Sequence, residues 1–149
     1  MKSKMLTPDL SVMPQVSETD IAELSRRGFK SIISNRPDGE AADQPAWAAI
    51  AAAADSHGMD ARHIPVVASQ IDDADVAAFA AALRDLPTPI AAFCRTGTRA
   101  ALLWALANED SQSADERIRV AAKEGFDLEP FRARIERRSA STSAAGKGS

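Results

Sequence analysis

Pro89-Ile90-Ala91-Ala92-Phe93-Cys94-Arg95-Thr96-Gly97-Thr98-Arg99 is the stretch that decides the fold. Its first five residues read as a short buried strand, and the Ala- and Leu-rich segment Ala100 to Leu106 reads as a helix. The residues between them are a strand-to-helix loop. In such a unit the loop N–H groups converge on one point, and the free N–H groups at the helix start carry partial positive charge. Gly97 suits that geometry, and Arg95 and Arg99 bracket it. The loop is expected to hold an anion, and the only cysteine in the chain opens it.

Reactive cysteines sit at helix N-termini beside arginine because both stabilise the thiolate. Cys94 is therefore expected to be a nucleophile. The competing account, a small apolar residue packed at a strand end, is a common fate of free cysteine. It leaves Arg95, Thr96, Gly97, Thr98 and Arg99 unexplained, and those arginines could not be buried unpaired.

Outward from the loop, strands and helices alternate. Ser17-Glu18-Thr19-Asp20 has the form of a capping box, Ile21 and Leu24 give the helix its apolar side, and Arg26-Arg27-Gly28 closes it. A strand is predicted over 29–34, then a loop through Asn35-Arg36-Pro37-Asp38-Gly39-Glu40, then a helix carrying Trp47, Ile50 and Ala54. A strand over 59–67 and a helix from Asp72 or Asp73 to Leu83 precede the decisive stretch. Segments 115–124 and 128–135 read as packing helices, and the small polar residues 139–149 as a disordered tail. This order predicts an α/β domain over 1–138, a mainly parallel sheet flanked by helices with extra helices at the C-terminal end. Ligands in such sheets bind at the carboxyl ends of strands, where Cys94 falls.

At 149 residues the chain has room for one ordinary domain. A net charge of −3 argues against nucleic acid as a partner. The longest apolar run, Ala46 to Ala54, falls far short of the roughly 20 residues that span a bilayer, so no membrane association is expected. A single cysteine and no secretory signal behind Lys2 and Lys4 suggest a cytoplasmic protein. His57 and His63 have no metal-site spacing with Cys94, so neither a metal nor another cofactor is expected.

Two enzyme groups place a cysteine at the head of an arginine-bearing anion loop. Cysteine-dependent phosphatases set five residues between Cys and Arg, whereas rhodanese-type sulfurtransferases commonly carry a six-residue loop beginning Cys-Arg. Four residues separate Cys94 from Arg99, which resembles the second. From about Leu6 to Ile135, however, the chain resembles the phosphatase-like domain of the beta-lactamase hydrolase-like proteins. This is a bacterial family of dual-specificity-phosphatase fold, also catalogued as sulfurtransferases. The likeness rests on Pro14-Gln15-Val16, on Asn35 to Glu40, on Ile64-Pro65-Val66, on Phe93 to Arg99, and on Gly125-Phe126-Asp127-Leu128. Some relatives add a metallo-hydrolase domain that oxidises persulfides, for which this chain lacks the histidines, so the resemblance implies a stand-alone form.

The resemblance implies that Cys94 is the nucleophile and that Arg99 stabilises the anionic intermediate. Arg95, Thr96, Gly97 and Thr98 would supply the loop's N–H groups, with Arg95 adding positive potential at the mouth. Phe93 stands where a phosphatase usually has His, and Ala100 where it has a hydroxyl residue. Phosphatases also draw an acid from the loop after the strand ending near Val67, where Asp72 and Asp73 are found, although either serves equally as a helix cap. These departures make sulfur transfer through a Cys94 persulfide the leading expectation, followed by phosphate monoester hydrolysis through a Cys94 phospho-enzyme, then a non-catalytic anion- or protein-binding module. The expected partner is a small sulfur-containing or phosphorylated anion, with a thiol acceptor or a persulfide-oxidising protein downstream. His63, Arg36 and Asp38 fall near the same sheet edge, where turn and rim roles account for them. Arg132, Arg134, Arg137 and Arg138 read as a solvated basic helix end.

Overall fold

Ten elements alternate along the chain: β1 (Lys4–Thr7), β2 (Leu10–Met13), α1 (Glu18–Arg26), β3 (Ser31–Ser34), α2 (Trp47–Ser56), β4 (Asp60–His63), α3 (Asp73–Asp85), β5 (Ile90–Phe93), α4 (Thr98–Ala107) and α5 (Ala114–Lys123). A 3-10 turn at Glu129–Phe131 leads into a helix over 132–138. This computed structural model describes residues 1–109 and 111–138, so the tail expected over 139–149 lies outside the described residues.

The strands form one sheet in the order β1-β2-β5-β3-β4. Pairings β2–β5, β5–β3 and β3–β4 are parallel, and only the edge pair β1–β2 is antiparallel. The sequence reading did not place β1 and β2, whose short segments are separated by two turn residues. It also drew β4 too long. Past His63 the chain stays extended, but Pro65 has no N–H to donate to a ladder, and pairing thins to single bonds from Ile64 and Val66 to Ser34 and Asn35.

Alternation along the central strand builds two cores. On β5, Ile90 and Ala92 face the cluster under α3 and α4, while Ala91 and Phe93 face the cluster under α1 and α2. Helix α4 is buried from Ala100 to Ala107, so it packs as the central helix of the domain. Fully buried leucines such as Leu102 and Leu103 are expected to cost about 2–5 kcal/mol each when cut to alanine.

Arg132, Arg134 and Arg138 are tethers, contrary to the solvated end expected of them, whereas Arg137 is exposed as expected. Arg134 donates to the Ile71 carbonyl, Arg138 reaches the Leu106 carbonyl at 3.4 Å, and Arg132 binds Glu129 and Asp115. They fasten helix 132–138 to the start of α3 and the end of α4, supplying donors to carbonyls at element ends. No described helix is long and apolar enough to cross a membrane.

Candidate active site

Strand register decides what surrounds Cys94. Phe93 pairs with Met13 on one side and Ser34 on the other, so Cys94 leaves β5 between the chain ends that begin at Pro14 and Asn35. Backbone bonds lock this junction: Cys94 N–H donates to Met13 O (3.4 Å), Gln15 N–H to Arg95 O (3.4 Å) and Asn35 N–H to Phe93 O (2.7 Å). The Asn35 amide also donates to Ile64 O at 2.9 Å, tying the exits of β5, β3 and β4 together.

Gly97 turns the loop into α4. Its φ of 98° lies where a side chain is strained, and a Cβ there would lie 2.9 Å from the Phe126 ring and 3.3 Å from the Met13 carbonyl carbon. From this position the Gly97 N–H donates to Cys94 Sγ at 3.0 Å. The sulfur takes up one free donor at the helix start, where no side chain caps α4.

Arg99 is held from outside the loop. Its Nη1 donates to Glu40 Oε2 at 2.7 Å and to Val66 O at 2.9 Å, and its Nη2 donates to Glu40 Oε1 at 2.8 Å. Glu40 is itself anchored by Arg36, whose Nε donates to Oε1 at 3.0 Å and whose Nη1 donates to Gln15 Oε1 at 3.0 Å. This double-cation seat, with the Arg99 bond foremost, holds the Glu40 carboxyl down at about 2. The same contact, followed by the sulfur of Cys94, keeps Arg99 firmly protonated above its ordinary range. A guanidinium has five N–H donors in a rigid fork. Glu40 and Val66 engage Nη1 and Nη2, and the Cys94 sulfur acts on the same guanidinium.

The structure brings Cys94, Gly97 and Arg99 into one turn and buries the sulfur at the head of the loop. Cys94 is only 1% exposed, although Arg95 and Thr96, which follow it directly, are exposed. The Thr96 hydroxyl donates to Thr98 Oγ1 (3.1 Å), and the Thr98 N–H turns back to Thr96 Oγ1 at 3.4 Å. Of the four N–H groups expected to line the cradle, Gly97's meets the sulfur and Thr98's closes locally. The physical reason is economy of donors: each free N–H finds the nearest acceptor, and an anion entering the loop must compete with it.

His63 and Asp38 are structural. His63 Nε2 donates to Arg36 O (2.9 Å) and its ring stacks on Trp47 (5.1 Å), while Asp38 accepts from Trp47 N–H (2.9 Å). Asp72 caps α3 in a reciprocal box with Asp75, the helix-cap alternative drawn from the sequence. Sequence reasoning missed Glu40, Gln15 and Phe126 as site residues. A glutamate four residues after an arginine, in a loop leaving a neighbouring parallel strand, was the available signal for the first.

The geometry now has relatives. Residues 2–114 match the model of the beta-lactamase hydrolase-like protein, phosphatase-like domain. The chain belongs to this family. A beta-lactamase hydrolase-like protein of Agrobacterium fabrum is 37% identical over 146 residues, covering 94% of this chain and 33% of its own length. The chain thus spans about a third of the curated relatives it matches. Among solved structures, a candidate phosphatase of Neisseria meningitidis is 36% identical with a TM-score of 0.84, over 93% of this chain and 99% of that one. TpbA of P. aeruginosa, solved in complex with pTyr, shares the fold at 18% identity, with a TM-score of 0.63 over 94% of this chain and 81% of its own. The domain is therefore a mixed α/β member of the family with phosphatase-like architecture.

Proposed function

We propose that this chain is a cysteine-dependent phosphatase that forms a phospho-enzyme on Cys94. The observation that carries the proposal is the Gly97 N–H on Cys94 Sγ at 3.0 Å, with Arg99 braced by Glu40 through both Nη atoms. Such a seat stabilises the sulfur as an anion and presents a planar guanidinium suited to two oxygens of a phosphoryl group. Attack by Cys94 forms the S–P bond. The loop N–H groups and Arg99 stabilise charge as it develops on the oxygens, and water then releases inorganic phosphate. The likeness to a candidate phosphatase across 93% of the chain supports this reading over sulfur transfer.

One observation favours a second reading. Four residues separate Cys94 from Arg99, a compact ring that suits a persulfide as well as a phosphoryl group. Mass spectrometry of the protein after incubation with an aryl phosphate, and separately with thiosulfate, tests both. A phosphoryl adduct on Cys94, lost in Cys94→Ser, is the expected result. Sulfur retained on Cys94 together with no phosphoryl adduct would replace the proposal with the second reading.

A further inference from the structure

We infer that the site splits phosphate esters whose leaving group departs as a stable anion, aryl phosphates above all, and does so without a proton donor from the protein. This rests on the phosphatase reading above. It concerns which phosphate esters such a site can use.

Four carboxylates around the sheet's carboxyl edge, Glu40, Asp38, Asp72 and Asp75, are already committed. Glu40 sits between two guanidinium groups that hold it at about 2, so it stays a carboxylate at any working pH and has no proton to give. Asp72 Oδ1 accepts from Asp75 N–H at 2.8 Å, and Asp75 Oδ2 accepts from Asp72 N–H at 3.1 Å, a reciprocal cap that uses both carboxylates as acceptors. Asp38 Oδ1 accepts from the Trp47 N–H at the start of α2. Asp73 is exposed and lies 3.7 Å from Arg138. The first four serve the structure as anions, and a general acid needs the opposite: an environment that retains a proton and aims it at the departing oxygen.

The loop facing Arg99 points the same way. Arg99 Nη1 binds the Val66 carbonyl, so the chain leading into residues 67–70 starts at the guanidinium. The next residue, Val67, is 45% exposed, and Ala68, Ser69 and Gln70 form an exposed 3-10 turn. Here the rim offers an apolar side chain and neutral groups, where an acid would stand in a site built for alkyl esters. An aromatic ring gains from Val67 by burying apolar surface, and its phenolate needs no proton.

The balance of the step follows. The Cys94 thiolate attacks phosphorus, the S–P bond forms, the P–O bond breaks, and the electron pair leaves on the aryl oxygen with no proton moved. Water then attacks phosphorus, the S–P pair returns to sulfur, and the products are the thiolate and dihydrogen phosphate.

Turnover of aryl phosphates graded from dinitrophenyl to phenyl, with an alkyl phosphate at the end, tests the inference. Since a general acid supplies about 100- to 10,000-fold, the alkyl ester is expected to react at least ~100-fold more slowly than phenyl phosphate, with a steep dependence on leaving-group acidity throughout. Asp72→Asn, which keeps a capping oxygen, is expected to leave that dependence unchanged, and Val67→Ser to raise KM for aryl esters while preserving it. A flat dependence, or one that steepens in Asp72→Asn, overturns the inference while leaving the phosphatase reading intact. No phenolate release from even the dinitrophenyl ester overturns both.

Discussion

Helix α4 carries a partly or wholly buried guanidinium at each end, and the protein treats the two in opposite ways. At its C-terminal end, Arg117 reaches across from α5, fully buried, and donates to Trp104 O at 3.0 Å and Asn108 Oδ1 at 2.6 Å while its carbon lies 4.9 Å from the Trp104 ring. A cation at a helix C-terminus complements the dipole and satisfies carbonyls that lack partners. Burial still lowers Arg117 to about 10. At the other end Arg99 stands in the first turn, where the dipole disfavours a cation. It is kept there by a carboxylate brought from a loop 59 residues away in sequence. Arg117 sits where a cation stabilises, Arg99 where one must be held in place. A positive charge maintained against the local field is what the proposed phosphatase would use to hold a phosphoryl group.

Breaking the functional end should give the largest effect. Arg99→Lys retains charge but loses the planar fork, and turnover of an aryl phosphate is expected to fall ~1,000-fold, about 4 kcal/mol of transition-state stabilisation. Its urea midpoint should move little; equal losses in both measurements would erase the distinction between the two ends. Breaking the structural end comes next. Arg117→Met strands the carbonyls at the end of α4 and is expected to lower unfolding free energy by about 3 kcal/mol, with KM unchanged in the protein that remains folded.

Gly97→Ala probes the turn that joins loop to helix. Positive φ and the close Phe126 ring should together cost about 2 kcal/mol, read as slower Cys94 alkylation by iodoacetamide and slower turnover. Phe126→Val in the same chain should restore part of the loss by making room. The smallest effect concerns pH. Glu40 has a folded-state value of about 2 against 4.5 for the free group, so its contribution is present above 4.5 and disappears as pH falls from there toward 2. After allowance for solvent screening at this partly open site, that contribution is about 1 kcal/mol. Acid titration of stability in the parent and in Glu40→Gln should differ by that amount above pH 5 and converge near pH 2.

The central unit was legible because strand, loop and helix are contiguous in sequence and each obeys a local rule: an apolar run, a glycine at the turn, an Ala- and Leu-rich helix. The capping box at Ser17 was legible for the same reason, and a cap at Asp72 was one of two roles the sequence offered. What sequence did not reveal is what parallel register assembles. Gln15, Arg36 and Glu40 reach Cys94 and Arg99 only because β2 and β3 both pair with β5 and end level with it, a fact with no local signature. The N-terminal pair β1–β2 escaped because four-residue strands separated by Pro8 and Asp9 give too short a period to read. Burial of Cys94 is the competing account that the sequence reading sets aside, since it depends on the covering chain and not on the loop's own residues.

Phe126 lies beneath the one residue whose N–H holds the sulfur, and beyond it Arg134 and Arg138 rivet the last helix to the ends of α3 and α4. The proposed nucleophile would thus have a distant mechanical abutment: one aromatic ring more than thirty positions downstream of Cys94 bounds the glycine that donates to its sulfur. Natural or engineered drift in reactivity would surface first at that abutment.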